Sequence, residues 1–176
     1  MTKNTVLGID HIGVTVTDIE SATKFFIEAL GAEVVYKSFE ANQPPQGDEK
    51  MEQDLNLASG TKLVSARMIK IGVGPTIELF ELKVADQDSP ARPSDLGMQH
   101  MAIYVEDIAK AVQRFKEAGG KLFSEPKPFL FPKEVGDGNL FCYGQSPWGM
   151  MIEFITYPSK MAYENETELR LWHADR

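Results

Sequence analysis

The sequence predicts an α+β protein built from two tandem copies of one βαβββ module. Three observations support this: an internal repeat, apolar alternation within each copy, and helix-capping residues at matching positions. Residues 8–31 and 97–120 align at a fixed offset of 89 residues, and 10 of the 24 aligned positions are identical. The predicted organisation is a first module (1–84), a linker (85–96), a second module (97–158) and a C-terminal extension (159–176).

Each copy opens with a predicted strand that leads into a helix. Val and Ile are frequent at the start of each copy, which is typical of a partly buried strand. Asp18 and Asp107 follow as candidate helix N-caps, because a carboxylate there accepts hydrogen bonds from the first-turn amides. Gly31 is a candidate helix end. Further strand-like runs follow each helix, at 33–39, 62–71 and 75–82 in the first module and at 122–123, 139–144 and 150–156 in the second.

Two irregular stretches interrupt this plan, at 40–60 and 124–138. The second stretch contains three prolines and the apolar residues Phe129, Leu130 and Phe131. Long loops of this kind either cover a functional site or form a surface excursion without a role. Both interpretations of residues 124–138 stay open at this point.

The composition excludes several classes of function. A formal net charge of -8 disfavours nucleic-acid binding, which needs lysine and arginine to neutralise phosphates. No apolar run approaches the roughly 18 residues of a membrane span, and the N-terminus resembles no targeting segment, so we expect a cytoplasmic protein. Cys142 is the single cysteine and lies in an apolar run, which predicts a buried and inert thiol.

Candidate metal ligands lie at equivalent strand positions. Successive strand residues point to opposite faces, so His11 shares a face with Thr15, and His100 shares one with Tyr104. Glu78 and Glu153 lie within apolar runs of the last strand of each module.

Each candidate ligand taken singly has an ordinary structural interpretation. A lone histidine is usually a hydrogen-bonded core residue, and a lone strand glutamate usually faces solvent. A buried carboxylate, however, needs a partner or a metal ion. Because the repeat relates the two histidines, and the module plan relates the two glutamates, we predict one site for a divalent ion (Zn, Ni, Co, Mn or Fe). The predicted ligands are His11, Glu78, His100 and Glu153.

Other residues are candidates for the wall of a substrate cavity. Thr15, Phe80 and Tyr104 are placed there by the predicted strand faces, with core packing as the alternative for the two aromatic residues. Arg67 lies on a predicted strand and either meets a substrate anion or is a surface residue. Glu81 would replace Glu78 as the inward carboxylate only if its strand were bulged.

The chain resembles the vicinal oxygen chelate superfamily of glyoxalases, bleomycin-resistance proteins and extradiol dioxygenases. The resemblance rests on DHIGVTVTDIESATKFF, IELFEL, GMQHMAIYVEDIAKAV and SPWGMMIEFITYP, and its pattern is nearest to methylmalonyl-CoA epimerase and glyoxalase I. It implies that the two modules form an incomplete curved barrel around a metal site. It also implies ligands at His11, Glu78, His100 and Glu153.

The resemblance implies an enzyme, a metal-dependent isomerase, epimerase or lyase acting on a small oxygenated substrate through a metal-chelated enolate. Glu78 and Glu153 would transfer the proton. One alternative is an Fe(II)-dependent dioxygenase, which would use His11, His100 and Glu153. The other is a non-catalytic binding or resistance protein.

The expected partners are a small-molecule substrate and a second copy of the chain. The C-terminal extension carries apolar side chains but is too short to fold alone, so we expect it to pack on a module surface in a homodimer. His173 is expected to face solvent, because the repeat does not relate it to the site.

Overall fold

The computed structural model describes residues 5–174, which form two compact units with one open β-sheet each. The first unit comprises residues 5–27 and 31–88, and the second comprises 28–30 and 89–174. Residues 1–4 and 175–176, the ends of the predicted first module and C-terminal extension, lie outside the described residues. Each module follows the βαβββ plan with one added element, a short helix in the first module and a short strand in the second, so the predicted α+β class is confirmed. Within the described part of the chain, no helix is long and apolar enough to cross a membrane.

The first module consists of β1 (His11–Val16), α1 (Ile19–Leu30), β2 (Glu33–Phe39), α2 (Glu49–Leu55), β3 (Lys62–Lys70) and β4 (Thr76–Lys83). Its sheet has the order β1-β4-β3-β2, with β1 parallel to β4 and the other pairs antiparallel. The short helix α2 lies in the stretch expected to be irregular. Asp48 caps it, since its carboxylate accepts a hydrogen bond from the Met51 amide at 2.8 Å.

The second module consists of β5 (Met101–Tyr104), α3 (Ile108–Glu117), β6 (Lys121–Leu122), β7 (Lys127–Pro128), β8 (Leu140–Gln145) and β9 (Met151–Thr156). A single 3-10 turn follows at Ala162–Asn165. The sheet order is β5-β9-β8-β6, and β7 also pairs with β8. In place of one strand equivalent to β2, the second module therefore has two short strands, β6 and β7, which both pair with β8.

The predicted helix caps are confirmed. The Asp18 carboxylate accepts a hydrogen bond from the Ser21 amide at 2.7 Å, and that of Asp107 accepts one from the Lys110 amide at 3.0 Å. These bonds satisfy amides that have no partner within the first turn. Gly31 ends α1 with a φ of 67°, a left-handed conformation that glycine adopts without steric conflict.

The helices α1 and α3 each pack on one face of the sheet in their own module. In the second module the Phe115 ring meets the Phe154 ring edge-on, with 5.0 Å between centroids. A Cβ atom at Gly120 or Gly144 would come within 2.6 Å of the Phe115 ring, so both glycines make room for it. Cys142 is buried, and burial raises the pKa of its thiol to about 11, which agrees with the predicted inert thiol.

Arg67 lies in the core beneath α1, at neither of its two predicted positions. The side chain is 2% exposed and shares the helix-facing side of the sheet with its register partner Leu79. Its Nη1 atom donates to Thr23 Oγ1 at 2.8 Å and to Glu20 Oε2 at 3.1 Å, and Nη2 donates to Glu20 as well. These partners explain why an arginine is retained there, since a buried charge needs an opposite charge and hydrogen bonds.

We expect Arg67→Ala to lower the free energy of unfolding by about 2–5 kcal/mol, because it empties a large buried volume. Urea unfolding followed by circular dichroism measures this change. The matched control is Arg92→Ala, where an 81% exposed side chain pairs with Asp95 at 3.4 Å. A surface pair contributes about 0–1 kcal/mol, so equal losses in the two variants would contradict the buried assignment.

Candidate metal centre

The first half of the candidate metal centre is a histidine–glutamate pair on β1 and β4. Gly13 is the register partner of Glu78, so His11 and Glu78 lie on the same side of the sheet, opposite the helix. In each module, the side of the sheet opposite the helix is called the ligand face below. The His11 Nε2 atom is 3.4 Å from Glu78 Oε2. Together they form the first pair, as the alternation of strand residues predicted.

The second pair is His100 and Glu153, at the equivalent place in the second module. His100 directly precedes β5, and Glu153 is the register partner of Ala102. The His100 Nε2 atom is 3.0 Å from Glu153 Oε2. The two side chains are 25% and 12% exposed, against 41% and 22% for His11 and Glu78. The second pair is therefore better shielded from solvent.

A tight turn between β8 and β9 places Glu153 on the ligand face. The Ser146 amide donates to the Met150 carbonyl at 2.9 Å, and the Gly149 amide donates to the Ser146 carbonyl at 3.0 Å. Gly149 has a φ of 100°, which is unfavourable for any residue with a Cβ atom. The turn fixes the register of β9, and a shift by one residue would move Glu153 to the helix side.

The residue before each histidine fixes its imidazole ring. Asp10 Oδ2 is 2.8 Å from His11 Nδ1, and Gln99 Oε1 is 3.0 Å from His100 Nδ1. A hydrogen bond at Nδ1 leaves Nε2 directed toward the carboxylate, which is the usual arrangement behind a metal-binding histidine. Asp10 and Gln99 were not among the predicted site residues. The signal was available, because they occupy equivalent positions of the repeat.

The charge around each pair agrees with its geometry. The hydrogen bond that His11 donates to the Asp10 carboxylate and the charge of Glu78 raise the pKa of His11. In the second module, burial and a hydrogen bond to Glu153 raise the pKa of the Tyr143 hydroxyl to about 12. Tyr143 is the register partner of Glu153, and its ring lies edge-on to that of His100 at 5.2 Å. Its place beside Glu153 was not predicted.

Each pair is a half-site with one imidazole nitrogen and one carboxylate. Two such half-sites contain the nitrogen and oxygen donors that Zn, Ni, Co, Mn and Fe accept, so the residues fit a divalent ion. In the described range, 5–174, no three or more His, Cys, Asp or Glu side chains gather into a metal cluster. Each pair by itself offers two protein donors.

Glu81, the other glutamate of β4, lies on the helix side of the sheet. Its register partner is Ser65, and its Oε2 atom accepts a hydrogen bond from the Ile19 amide at 3.0 Å. The Lys83 ammonium is 3.1 Å from Glu81 Oε1. Glu81 therefore stabilises the first turn of α1, and Glu78 is the β4 carboxylate on the ligand face.

Three of the four predicted cavity residues lie on the ligand face. Thr15 is the register partner of Phe80 on the face of the first pair, and Tyr104 is the partner of Ile155 on that of the second. Arg67, the fourth, faces the helix as described above. His173 corrects another expectation: it does not face solvent, because its Nε2 atom is 2.8 Å from the Tyr104 hydroxyl.

A cavity of about 310 Å³ lies on the ligand face of the second module. It extends from His100 and Glu153 to Tyr157 and Leu171, and residues 129–131 and 134 of the loop 124–138 contribute to its wall. The Phe129 ring stacks on that of Phe141 with 5.2 Å between centroids. The loop thus covers part of the second half-site.

The C-terminal extension packs against the second module of its own chain. The Tyr163 amide donates to the Lys133 carbonyl at 3.2 Å, and the Leu171 amide donates to the Tyr163 hydroxyl at 3.0 Å. The Tyr157 hydroxyl donates to the Trp172 carbonyl at 2.6 Å. These bonds hold Leu171 in the cavity wall.

Comparison with known proteins agrees with this geometry. The sequence profile of the Glyoxalase/Bleomycin resistance protein/Dioxygenase superfamily matches residues 10–143. A 2-epi-5-epi-valiolone epimerase from an Actinomyces species is 30% identical over 171 residues, which cover 96% of this chain and 90% of that protein.

Solved structures show the same fold. A glyoxalase family protein from Bacillus cereus superposes with a TM-score of 0.65 at 23% identity, covering 89% of this chain and 97% of that one. A mutant fosfomycin resistance protein from Listeria monocytogenes, solved with Mn(II) and a dihydroxypropylphosphonic acid, gives a TM-score of 0.57 at 15% identity, covering 92% and 99%. Because the family profile matches residues 10–143 and the epimerase is 30% identical over nearly the whole chain, the chain belongs to the Glyoxalase/Bleomycin resistance protein/Dioxygenase superfamily.

Proposed function

We propose that this protein is a metal-dependent epimerase that inverts a stereocentre next to the carbonyl group of a small hydroxylated ketone. The observation that carries the proposal is the repeated histidine–glutamate pair, present once on the ligand face of each module. The 30% identity with an epimerase, over nearly the whole of both chains, supports the choice of epimerisation among the reactions of the superfamily.

The proposed ligands of the ion are the first and second pairs together. His11 and His100 present Nε2, while Asp10 and Gln99 hold their Nδ1 atoms. The side chains of these two pairs would hold the divalent ion. When bound, a divalent ion supplies Lewis-acid stabilisation of the negative charge that develops on substrate oxygens. The Listeria relative by fold was solved with Mn(II).

The proposed catalytic groups are the carboxylates of Glu78 and Glu153. An epimerase has to remove a proton from one side of a carbon atom and return one to the other. A single base returns the proton to the side from which it came, unless the bound molecule rotates in the site. The carboxylates of Glu78 and Glu153 would be these two groups, with one as base and the other as acid.

The cavity of the second module is the proposed binding place of the substrate. Its volume of about 310 Å³ is at the lower end of the range for ligand pockets, about 300–1,000 Å³, which favours a small molecule. The Tyr143 hydroxyl beside Glu153 stays protonated, because its pKa is raised to about 12. It is therefore available as a hydrogen-bond donor to the carboxylate or to a substrate oxygen.

Proton exchange in deuterated solvent tests the proposal. The purified chain, supplied in turn with Zn, Mn, Co, Ni and Fe(II), is incubated in D₂O with 2-epi-5-epi-valiolone and followed by proton NMR. With at least one of these metals, we expect deuterium to be incorporated at a carbon next to the carbonyl and an epimer to appear. A chelator is expected to stop both.

Other results would contradict the proposal. Absence of exchange with every metal would exclude proton transfer on this compound. Oxygen consumption with Fe(II) would instead support the dioxygenase alternative. Cleavage of a carbon–carbon or carbon–oxygen bond would identify a lyase.

A further inference from the structure

The charged side chains that line the cavity of the second module are both acidic. They are Glu134, from the loop 124–138, and Glu153, from β9. Within the described part of the chain, no lysine or arginine belongs to the cavity wall. Glu153 is accounted for by its pairing with His100, whereas Glu134 has no role in the site described above.

The backbone of Glu134 is held in place. Its amide donates to the Phe131 carbonyl at 2.9 Å, and its carbonyl accepts from Asn139 Nδ2 at 3.1 Å. Asn139 is fully buried and also exchanges hydrogen bonds with the backbone of Ser159. The loop therefore presents Glu134 to the cavity from a fixed position.

The carboxylate of Glu134 keeps its capacity to accept hydrogen bonds. The neighbouring ammonium group, that of Lys133, pairs with Glu166 instead. Among the described residues, none donates a hydrogen bond or forms an ion pair with the Glu134 side chain. Glu134 is half-buried and shares the cavity wall with Phe129 and Phe141, so a ligand that enters the cavity can reach it.

A carboxylate in a largely apolar wall discriminates between ligands by charge. It accepts hydrogen bonds from hydroxyl groups, and such bonds to a charged acceptor are stronger than neutral ones. It repels a phosphate or carboxylate group, and this repulsion grows where water is excluded. The wall offers no lysine or arginine in the described chain to offset that repulsion. The charge of a divalent ion on the proposed ligands would be balanced by the two carboxylates among them, Glu78 and Glu153.

We propose that Glu134 binds substrate hydroxyl groups, and that the cavity selects uncharged, polyhydroxylated compounds over their phosphorylated or carboxylated counterparts. The inference rests on the proposed function for the location of the substrate, and it adds the class of substrate and the residue that recognises it. Glu134 acts in binding, at a place distinct from the two pairs.

Equilibrium binding to the full chain as purified tests this inference without requiring turnover. The probes are 2-epi-5-epi-valiolone and its phosphate monoester, each titrated by calorimetry. We expect the wild-type chain to bind the uncharged compound at least about tenfold more tightly, and Glu134→Gln to lose about tenfold in affinity for it. Glu134→Lys is expected to reverse the preference in favour of the phosphate ester.

Glu125→Gln is the matched control, because Glu125 lies on the same loop, 77% exposed and paired with Lys116 outside the cavity wall. It is expected to leave both affinities unchanged. Three results would each overturn the inference: equal effects of the Glu125 and Glu134 variants, tighter binding of the phosphate ester by the wild type, or binding of neither probe. Hydroxyl-dependent binding through Glu134 without deuterium exchange would sustain it while refuting the proposed epimerase.

Discussion

His11→Ala and Glu153→Ala are each expected to lower bound metal to well under one ion per chain and to abolish measurable turnover. Each change removes one donor from a half-site that has only two. Substitution of a residue that hydrogen-bonds to a metal ligand already lowers metal affinity or activity about 10–100-fold. Loss of a ligand itself is expected to have a larger effect. Elemental analysis after dialysis measures the metal, and deuterium exchange measures the activity.

His173→Ala controls for the loss of an imidazole, because His173 contacts Tyr104 and belongs to neither pair. It should retain the metal content of the wild type. Far-UV circular dichroism should be nearly unchanged in the three variants, since the first and second pairs lie outside the helix-facing cores. If His11→Ala and Glu153→Ala both keep a full complement of metal, the four-ligand assignment is wrong.

The order of the elements could be predicted because the repeat and the strand alternation are local signals. The strand expected at 33–39 has those bounds as β2, and the other strands with predicted bounds differ by one residue at their ends. The short strand β7 was not predicted, because it lies in the stretch 124–138 that was expected to be irregular. Helix α2 was missed because it buries no residue and so leaves no apolar period in the sequence. Its only local signal is Asp48, a capping residue that also suits a turn.

The face of each candidate ligand could also be predicted, because strand residues alternate with a period of two. The position of Arg67 could not be predicted, since its burial depends on Glu20 and Thr23 from another element. The same holds for Glu81, whose partner is the first turn of α1. Such positions depend on tertiary contacts that no local pattern encodes.

The cavity wall was the least predictable part of the site. Glu134 lies in an irregular loop, and its orientation depends on Asn139, a buried residue that joins the loop to the start of the C-terminal extension. The Tyr104–His173 contact joins residues 69 positions apart. The apolar residues of the extension did predict that it packs on a module, but not which surface it covers.

Glu78→Gln is expected to slow α-hydrogen exchange by about 10²–10⁴-fold, the usual contribution of a general acid or base. The amide keeps the shape of the side chain and an oxygen donor, so much of the metal should be retained. It cannot accept and release a proton at neutral pH, so one side of the substrate would lose its proton-transfer group. Exchange rates by NMR and metal content by elemental analysis, on the same preparation, separate these two effects.

Glu81→Gln provides the control, because it makes the same substitution three residues further along the same strand, on the opposite face. It weakens the bond to the Ile19 amide and should lower stability, while exchange per folded molecule stays at the wild-type rate. Unaltered exchange in Glu78→Gln would reduce Glu78 to a ligand or structural residue. If exchange and metal are lost together, and added metal restores neither, Glu78 acts through the ion alone, and proton transfer would be left to Glu153.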